Sequence, residues 1–402
     1  MTRRFGSPEE AAAHLGPLLD RPVPTTRVDL APGITFRTES LRLNGTFTNS
    51  YTVSWHAPAH ATILVTEPPI SAAEHARRGD SVVTTTAGFF FLADRCRYRP
   101  RTLSLNLAIR DGRVLSVPVT TQDALISRNG VLSVVEVPAC GDLSLAGRRL
   151  DWAGSKTAFT ADCYVYGNAN AVIHHEPDVH TGKVRTFQDR SRFTPAITDN
   201  RWTDLGFHAT PDGSFDAVTR SDAGHVDIFD HDLVLRCRRT AAGSRLELHT
   251  IGPLSLDSLD DVPDAISVGP SLSHPDLNTH PLNDDRSLGS YPLLRDRPST
   301  RLVFFRTADG TQHLRLFDGR PGSPTFPGLT LDQTLTAVRA QGDVVSGCLL
   351  DSGNTSKLNV LRAGRLETFG NRHYLRWPAP GESDFTWTPD QGRPVASLIA
   401  LR

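Results

Sequence analysis

Apolar residues recur along this chain in two rhythms, and the shorter one dominates. From about Gly33 onward, brief apolar or alternating runs are cut by Gly, Pro, Asp and Asn, the texture of a β-rich protein. Residues 105–109 and 114–117 flank Asp111-Gly112, which predicts a hairpin with an Asp-Gly turn. Further strands are expected at 131–137, 226–229, 233–237 and 246–251. Helical spacing occurs near the two ends. Ser7-Pro8-Glu9-Glu10 reads as a cap, a first-turn proline and a capping box, with Leu15, Leu18 and Leu19 as the apolar face and the Pro-rich 21–24 as the stop. Leu331, Leu335 and Val338 recur at i, i+4 and i+7 behind a Thr330/Gln333 capping box, and Gly342 sits where that helix would end. A strand at 344–350 then delivers the chain to a small polar loop, 351–356, before a strand at 358–361 and an Ala363-Gly364 turn. Residues 272–299, rich in Pro, Asp, Ser and His, read as a long surface loop or lid. No clean internal repeat is present. The expected architecture is a single α+β domain over 33–402, mostly antiparallel twisted sheets with a few helices, preceded by a short helical extension over 1–32.

Composition narrows the function classes. A chain of 402 residues can bury a large core, and its 38% hydrophobic and 22% charged content is that of an ordinary soluble protein. The net charge of -1 offers no global field for polyanions, so neither a nucleic-acid polymer nor a membrane is expected as a partner. Lys156, Lys183 and Lys357 are the only lysines, so the basic residues are nearly all arginine, a side chain suited to forked hydrogen bonds with phosphate or carboxylate. The five cysteines (Cys96, Cys140, Cys163, Cys237, Cys348) are scattered, and no pair has metal-ligand or redox spacing. The start, MTRRFGSPEEAAAHLG, has no apolar core segment, and no run of about 18 apolar residues exists. A reduced, cytoplasmic protein is the resulting expectation; the oligomeric state is open.

Histidines invite a metal reading. His174-His175-Glu176 with His180, and His225 with Asp227, Asp230, His231 and Asp232, have suitable ligand types. Neither spacing matches a metal signature, and Pro177 breaks the first group. Read as a strand, 225–232 would put His225, Asp227 and His231 on one face and Asp230 and Asp232 on the other. No metal and no other cofactor is assigned.

Several landmarks occur in a distinctive order: Val82 to Phe90 ending in Thr86-Ala87-Gly88-Phe89-Phe90; Asp264-Ala265-Ile266-Ser267-Val268-Gly269-Pro270; Arg301 ahead of the Asp309-Gly310 turn; Phe317-Asp318-Gly319-Arg320; Gly328-Leu329-Thr330-Leu331; and Leu350-Asp351-Ser352-Gly353-Asn354-Thr355-Ser356-Lys357-Leu358. In order and spacing, over about residues 33 to 402, the chain resembles the phosphodiester glycosidase family. That family carries an Asn-Gly-Gly-Phe-Phe strand end, a Gly-Pro stretch before an arginine strand, and a Gly-Leu-Thr-Leu helix leading into Leu-Asp-Gly-Gly-Gly-Ser. Here Thr86 stands where the family has Asn, Leu302 and Val303 follow the arginine in place of Thr-Ala, and Ser352 and Asn354 replace two of the three motif glycines.

The resemblance implies a hydrolase acting at the anomeric carbon of a sugar phosphodiester or nucleotide-derived substrate, a small anionic molecule. Such chemistry needs a carboxylate for the proton or developing positive charge, and cationic or amide donors for the phosphate. Asp351 is the implied catalytic carboxylate and Arg301 the anion anchor, with Arg306 as a competing alignment. Thr86, Gly88, Phe89, Gly269, Ser352, Gly353, Asn354, Thr355 and Ser356 are the implied substrate-binding set, Gly353 keeping the bare amide of a glycine-rich loop. The plainer readings are that Asp-Ser-Gly-Asn is a turn, that Arg301 is a strand-edge charge and that Phe89, Phe90 and Phe91 pack a core. The altered motif also admits two other functions. One is a repurposed enzyme catalysing elimination, cyclisation or transfer in small-molecule biosynthesis. The other is a binding or scaffold protein that kept the fold and lost catalysis.

Overall fold

A computed structural model describes residues 2–79, 81–90, 104, 106–170, 172–176, 184–188, 193–256, 263–269, 271–272, 297–370, 372–376, 378 and 381–402. The protein is mainly β, with three α-helices among the described residues. Its sheets are largely antiparallel, compatible with the expected class. A feature no sequence signal announced is a closed seven-stranded barrel. It is formed in spatial order by Cys140–Leu145, Arg148–Gly154, Cys163–Tyr166, Leu233–Arg238, Trp202–Ala209, Phe215–Ser221 and Arg245–Leu248. Its strands alternate inward and outward, so Leu143, Leu145, Trp152, Val165, Phe207, Leu235 and Leu246 meet in one core.

Outside the barrel, three sheets face a common interior. A six-stranded sheet runs Thr26–Ala31, Ile34–Leu43, Thr46–Trp55, Gln312–Asp318, Arg301–Thr307, Val344–Leu349. One five-stranded sheet runs Arg365–Phe369, Leu358–Arg362, Val83–Thr86, Val395–Leu401, Ala61–Ile70, and another Val131–Val137, Gln122–Arg128, Asp264–Ser267, Ala108–Arg110, Arg113–Ser116. Phe36, Val53, Trp55, Leu302, Phe304, Leu314, Val83, Leu358, Ile399, Leu125 and Ile266 fill the space between them. On the outer face of the six-stranded sheet, Val303, Phe305, Phe317 and Leu349 are covered by helix Leu331–Arg339 through Leu331, Leu335 and Val338. The strand Arg301–Thr307 thus has no solvent face over its first five residues, which explains its unbroken apolar run.

Local signals placed many elements. The Thr330/Gln333 capping box forms with both hydrogen bonds present. Asp111-Gly112 and Ala363-Gly364 turn with positive φ at both residues (50° and 73°; 48° and 73°), the type I′ geometry. Val131–Val137 is a strand over the expected span, while 246–251 is split into Arg245–Leu248 and Thr250–Ile251. The expected strand at 226–229 is absent: 225–232 is irregular, with a single bridge from Asp227 to Phe193. His225 takes φ 59°, which no strand tolerates, so the alternation of faces drawn for this segment does not apply. The N-terminal helix is Pro8–Leu19, capped by Ser7, whose hydroxyl accepts from Glu10 N–H; the Glu10 carboxylate accepts from Gly6 N–H instead of closing the box on Ser7. Asp20 then latches this helix through Arg320, Ser323 (2.9 Å) and His373 (3.0 Å). The supposed loop or lid at 272–299 lies mostly outside the described residues, as do Phe91 and His180.

Candidate functional site

Three distant segments meet at the end of the strand Val344–Leu349. On one side it pairs with Arg301–Thr307, and the ladder runs on past its last residue: Leu350 N–H donates to Leu302 O (2.9 Å) and Gly353 N–H to Thr300 O (2.9 Å). Asp351 therefore stands beside Arg301. On the other side, Asp351 N–H donates to Ala87 O (2.8 Å), and Leu349 O accepts from Gly269 N–H (2.8 Å). Strand end 86–88, segment 267–269 and loop 349–353 are thereby stitched into one corner.

The corner fits because two of its residues are glycine for different reasons. A Cβ on Gly88 would lie 2.6 Å from Ser267 O, a distance no real side chain keeps, so only glycine lets these backbones approach. Gly88 N–H is in turn held by Ser397 Oγ (3.0 Å). Gly353 has open space around it but takes φ 77°, so its requirement is conformational.

Asp351 is 9% exposed, and both carboxylate oxygens accept: Oδ1 from Ser352 N–H (2.9 Å), Oδ2 from the Thr355 hydroxyl (2.7 Å). These two contacts hold the carboxyl group in a fixed orientation. Its own carbonyl accepts from the Ser356 hydroxyl (3.0 Å), and the Ser352 hydroxyl donates to Leu350 O (3.1 Å). The loop is thus tied to itself. Gly353 N–H is committed to Thr300 O, so the backbone amide expected to cradle an anion serves in this structure to place the loop. Arg301, 2% exposed, donates from Nε to Leu329 O (3.0 Å) and from Nη2 to Arg297 O (2.8 Å). It is a buried cation beside the site and not a strand-edge charge. Arg306 lies five residues further along the same strand, some 16 Å from this corner at about 3.3 Å per residue, which separates it from Asp351.

Thr86 is 1% exposed, its amide donating weakly to Lys357 O (3.3 Å) and its hydroxyl buried without a protein partner. Gly269 reaches the corner through its bond to Leu349, and Phe89 packs against both the barrel core and the layer under helix Leu331–Arg339. Phe90 packs with Val395 and Leu398. The structure brings Thr86, Gly88, Gly269, Arg301 and 351–356 together; the side chain of Asn354 lies outside the described residues.

Sequence reasoning passed over Lys357. It is 2% exposed and donates from Nζ to Pro389 O (3.0 Å), while the Thr85 hydroxyl donates to its carbonyl (2.6 Å). Burial pushes its ammonium down to about 8, against the pull of Asp318 and with the repulsion of Arg372. Its rarity in a chain with three lysines was the signal that could have marked it.

In the second histidine group the His231 ring has both nitrogens engaged. His231 contacts Asp227 O at Nδ1 (2.6 Å) and the Thr219 hydroxyl at Nε2 (2.8 Å), and His208 sits 3.4 Å from Asp232. Among the described residues no group of three or more His, Cys, Asp or Glu could hold a metal ion. A hollow of about 430 Å³ is lined by Asp29–Thr35 and His56, at the Trp55 end of the six-stranded sheet, whereas Asp351 lies at the Asn49 end. No helix among the described residues is long and apolar enough to cross a membrane.

No family model matches the chain, and no curated protein does. Solved structures do. The fold is shared with a hypothetical protein from Synechocystis (TM-score 0.57, 15% identity), over 94% of this chain and 64% of that one, so this chain spans less than two thirds of that protein's length. It is also shared with a candidate exported protein from Burkholderia pseudomallei K96243 (TM-score 0.53, 17% identity, 89% and 74% covered). A more distant match is the catalytic domain of zebrafish N-acetylglucosamine-1-phosphodiester alpha-N-acetylglucosaminidase, auto-inhibited by its pro-peptide (TM-score 0.40, 11% identity, 94% and 88% covered).

Proposed function

We propose that this chain is a phosphodiester-glycosidase-like hydrolase, with Asp351 as the carboxylate that meets the anomeric carbon of a sugar phosphodiester or nucleotide-derived substrate. The observation that carries this reading is the convergence on Asp351 of strand end 86–88, segment 267–269 and the Arg301 strand, joined by the Ala87, Leu349 and Thr300 hydrogen bonds. A turn needs none of these partners. The two hydrogen bonds keep the carboxyl group aimed, and a carboxylate held in this way is suited to stabilise an oxocarbenium-like transition state or to activate water. Arg301, beside it, supplies the positive field for the phosphate.

The test is release of free sugar from a panel of sugar 1-phosphodiesters by the full chain and by Asp351→Asn. The reading requires turnover by the parent and its collapse in a folded variant. Equal turnover by the two proteins removes Asp351 from the chemistry.

A second reading, a scaffold protein that kept the fold and lost catalysis, is favoured by one observation: the amides of Ser352 and Gly353 and the hydroxyls of Ser352, Thr355 and Ser356 all donate within the protein, so these donors already have partners. A melting temperature unmoved by sugar phosphates, with no product formed, is its signature.

A further inference from the structure

Four cysteines lie among the described residues, all as free thiols, and two of them are neighbours in space. Strands Cys163–Tyr166 and Leu233–Arg238 pair antiparallel in the barrel wall, and their register sets Cys163 directly opposite Cys237. Residues opposite each other on antiparallel strands share a face and stand about 4.5–5.5 Å apart at Cα. A disulfide needs Cα atoms about 4.4–6.8 Å apart with side chains turned toward each other. Both side chains enter the barrel core and are fully buried there, and Cys163 lies close enough to Cys237 to feel its thiol.

We propose that Cys163 and Cys237 form a cross-strand disulfide, a modification site that clamps the barrel wall when the chain folds in the presence of a disulfide oxidant of the glutathione class. One thiolate attacks the oxidant's S–S bond, giving a mixed disulfide and releasing one small thiol. The second cysteine then displaces the other small thiol. The protein loses two protons and two electrons, and the oxidant takes them up as two thiols.

The folded barrel protects this pair from later attack. Burial raises both thiols, Cys237 to about 12, and the Cys163 thiol donates to Asp151 O (3.4 Å). The bond therefore forms while the strands are still assembling, and once made it closes a loop of about 75 residues, a length over which chain constraint is strongly stabilising. Nothing in the spacing of five scattered cysteines reveals it; the barrel register does.

The full chain, unfolded and refolded with reduced and oxidised glutathione, tests this directly. Free thiols are blocked under denaturing conditions without reductant, and the digest is mapped by mass spectrometry. The expected product is one linked pair of peptides carrying Cys163 and Cys237, about 2 Da lighter than the two thiol peptides together. The refolded chain unfolds at higher urea than the reduced chain, and reductant abolishes the difference. Cys237→Ser refolded in the same way leaves Cys163 blocked as a free thiol. Full blocking of both cysteines in the parent, or their linkage mainly to other cysteines, overturns the proposal.

Discussion

The barrel and the corner around Asp351 solve the same problem, a buried strand end, with opposite materials. The barrel interior is apolar, and its most buried charge, Asp204, is answered within the wall by Arg236 (2.7 Å) and the Thr194 hydroxyl (2.6 Å). The corner instead concentrates buried polar side chains: Thr84, Thr85, Thr86, Ser267, Arg301, Asp351, Thr355, Ser356, Lys357 and Asn359. Burying so many polar groups costs stability unless each is bonded, and a fold tolerates it where chemistry is needed. Asp204 therefore holds a wall together, while the bonds from Ser352 and Thr355 aim the Asp351 carboxyl that we propose as the reactive group.

Substitutions can break that contrast. Asp351→Asn keeps the volume and much of the hydrogen bonding and is expected to lower turnover about a hundredfold or more with little change in melting temperature. Sugar release alongside a thermal melt checks both halves. Asp204→Ala is expected to do the reverse. It strands Arg236, costs about 3 kcal/mol in urea unfolding and leaves the turnover of the folded fraction intact. Gly88→Ala pushes a methyl against Ser267 O and should cost about 2 kcal/mol and also lower turnover, because the corner itself is forced apart. Unchanged turnover in a folded Gly88→Ala protein would separate the corner from the activity.

The smallest effect sharpens the comparison through pH. Lys357 titrates in the folded chain at about 8 and in the unfolded chain near its ordinary 10.5, so between these values the unfolded chain binds more protons and stability rises with pH. Below about pH 8 its burial is a standing cost. Lys357→Met is accordingly expected to stabilise the protein at pH 7 by about 1 kcal/mol, the relief being partly offset by loss of the bond to Pro389 O. That gain should shrink as pH climbs from 8 to 10. Urea midpoints across this range check it, and a gain that does not vary with pH contradicts the sign.

The sequence disclosed elements whose stabilising contacts are local. The Thr330/Gln333 cap, the Asp111-Gly112 and Ala363-Gly364 turns and the strand Val131–Val137 each rest on residues a few positions apart. The barrel was invisible because closure depends on register between distant strands, such as Leu143 opposite Leu248, and no short pattern encodes that. The segment 225–232 misled because its apolar run serves a loop pinned by the Asp227 side chain to Phe229 N–H and by the Asp227 carbonyl to the His231 ring. For the corner, the identities of Asp351, Gly88 and Arg301 were legible from ordered landmarks. Their commitments were not: whether Gly353 N–H faces a ligand or Thr300 O is decided by a strand fifty residues upstream.

A crystal of the full chain soaked with a hexose 1-phosphate tests the central claim most directly. The account predicts the sugar phosphate in the corner between Gly88, Gly269 and loop 351–356, with its anomeric carbon facing the Asp351 carboxylate. A sugar phosphate held elsewhere, with the Asp351 corner unchanged and empty, would contradict it.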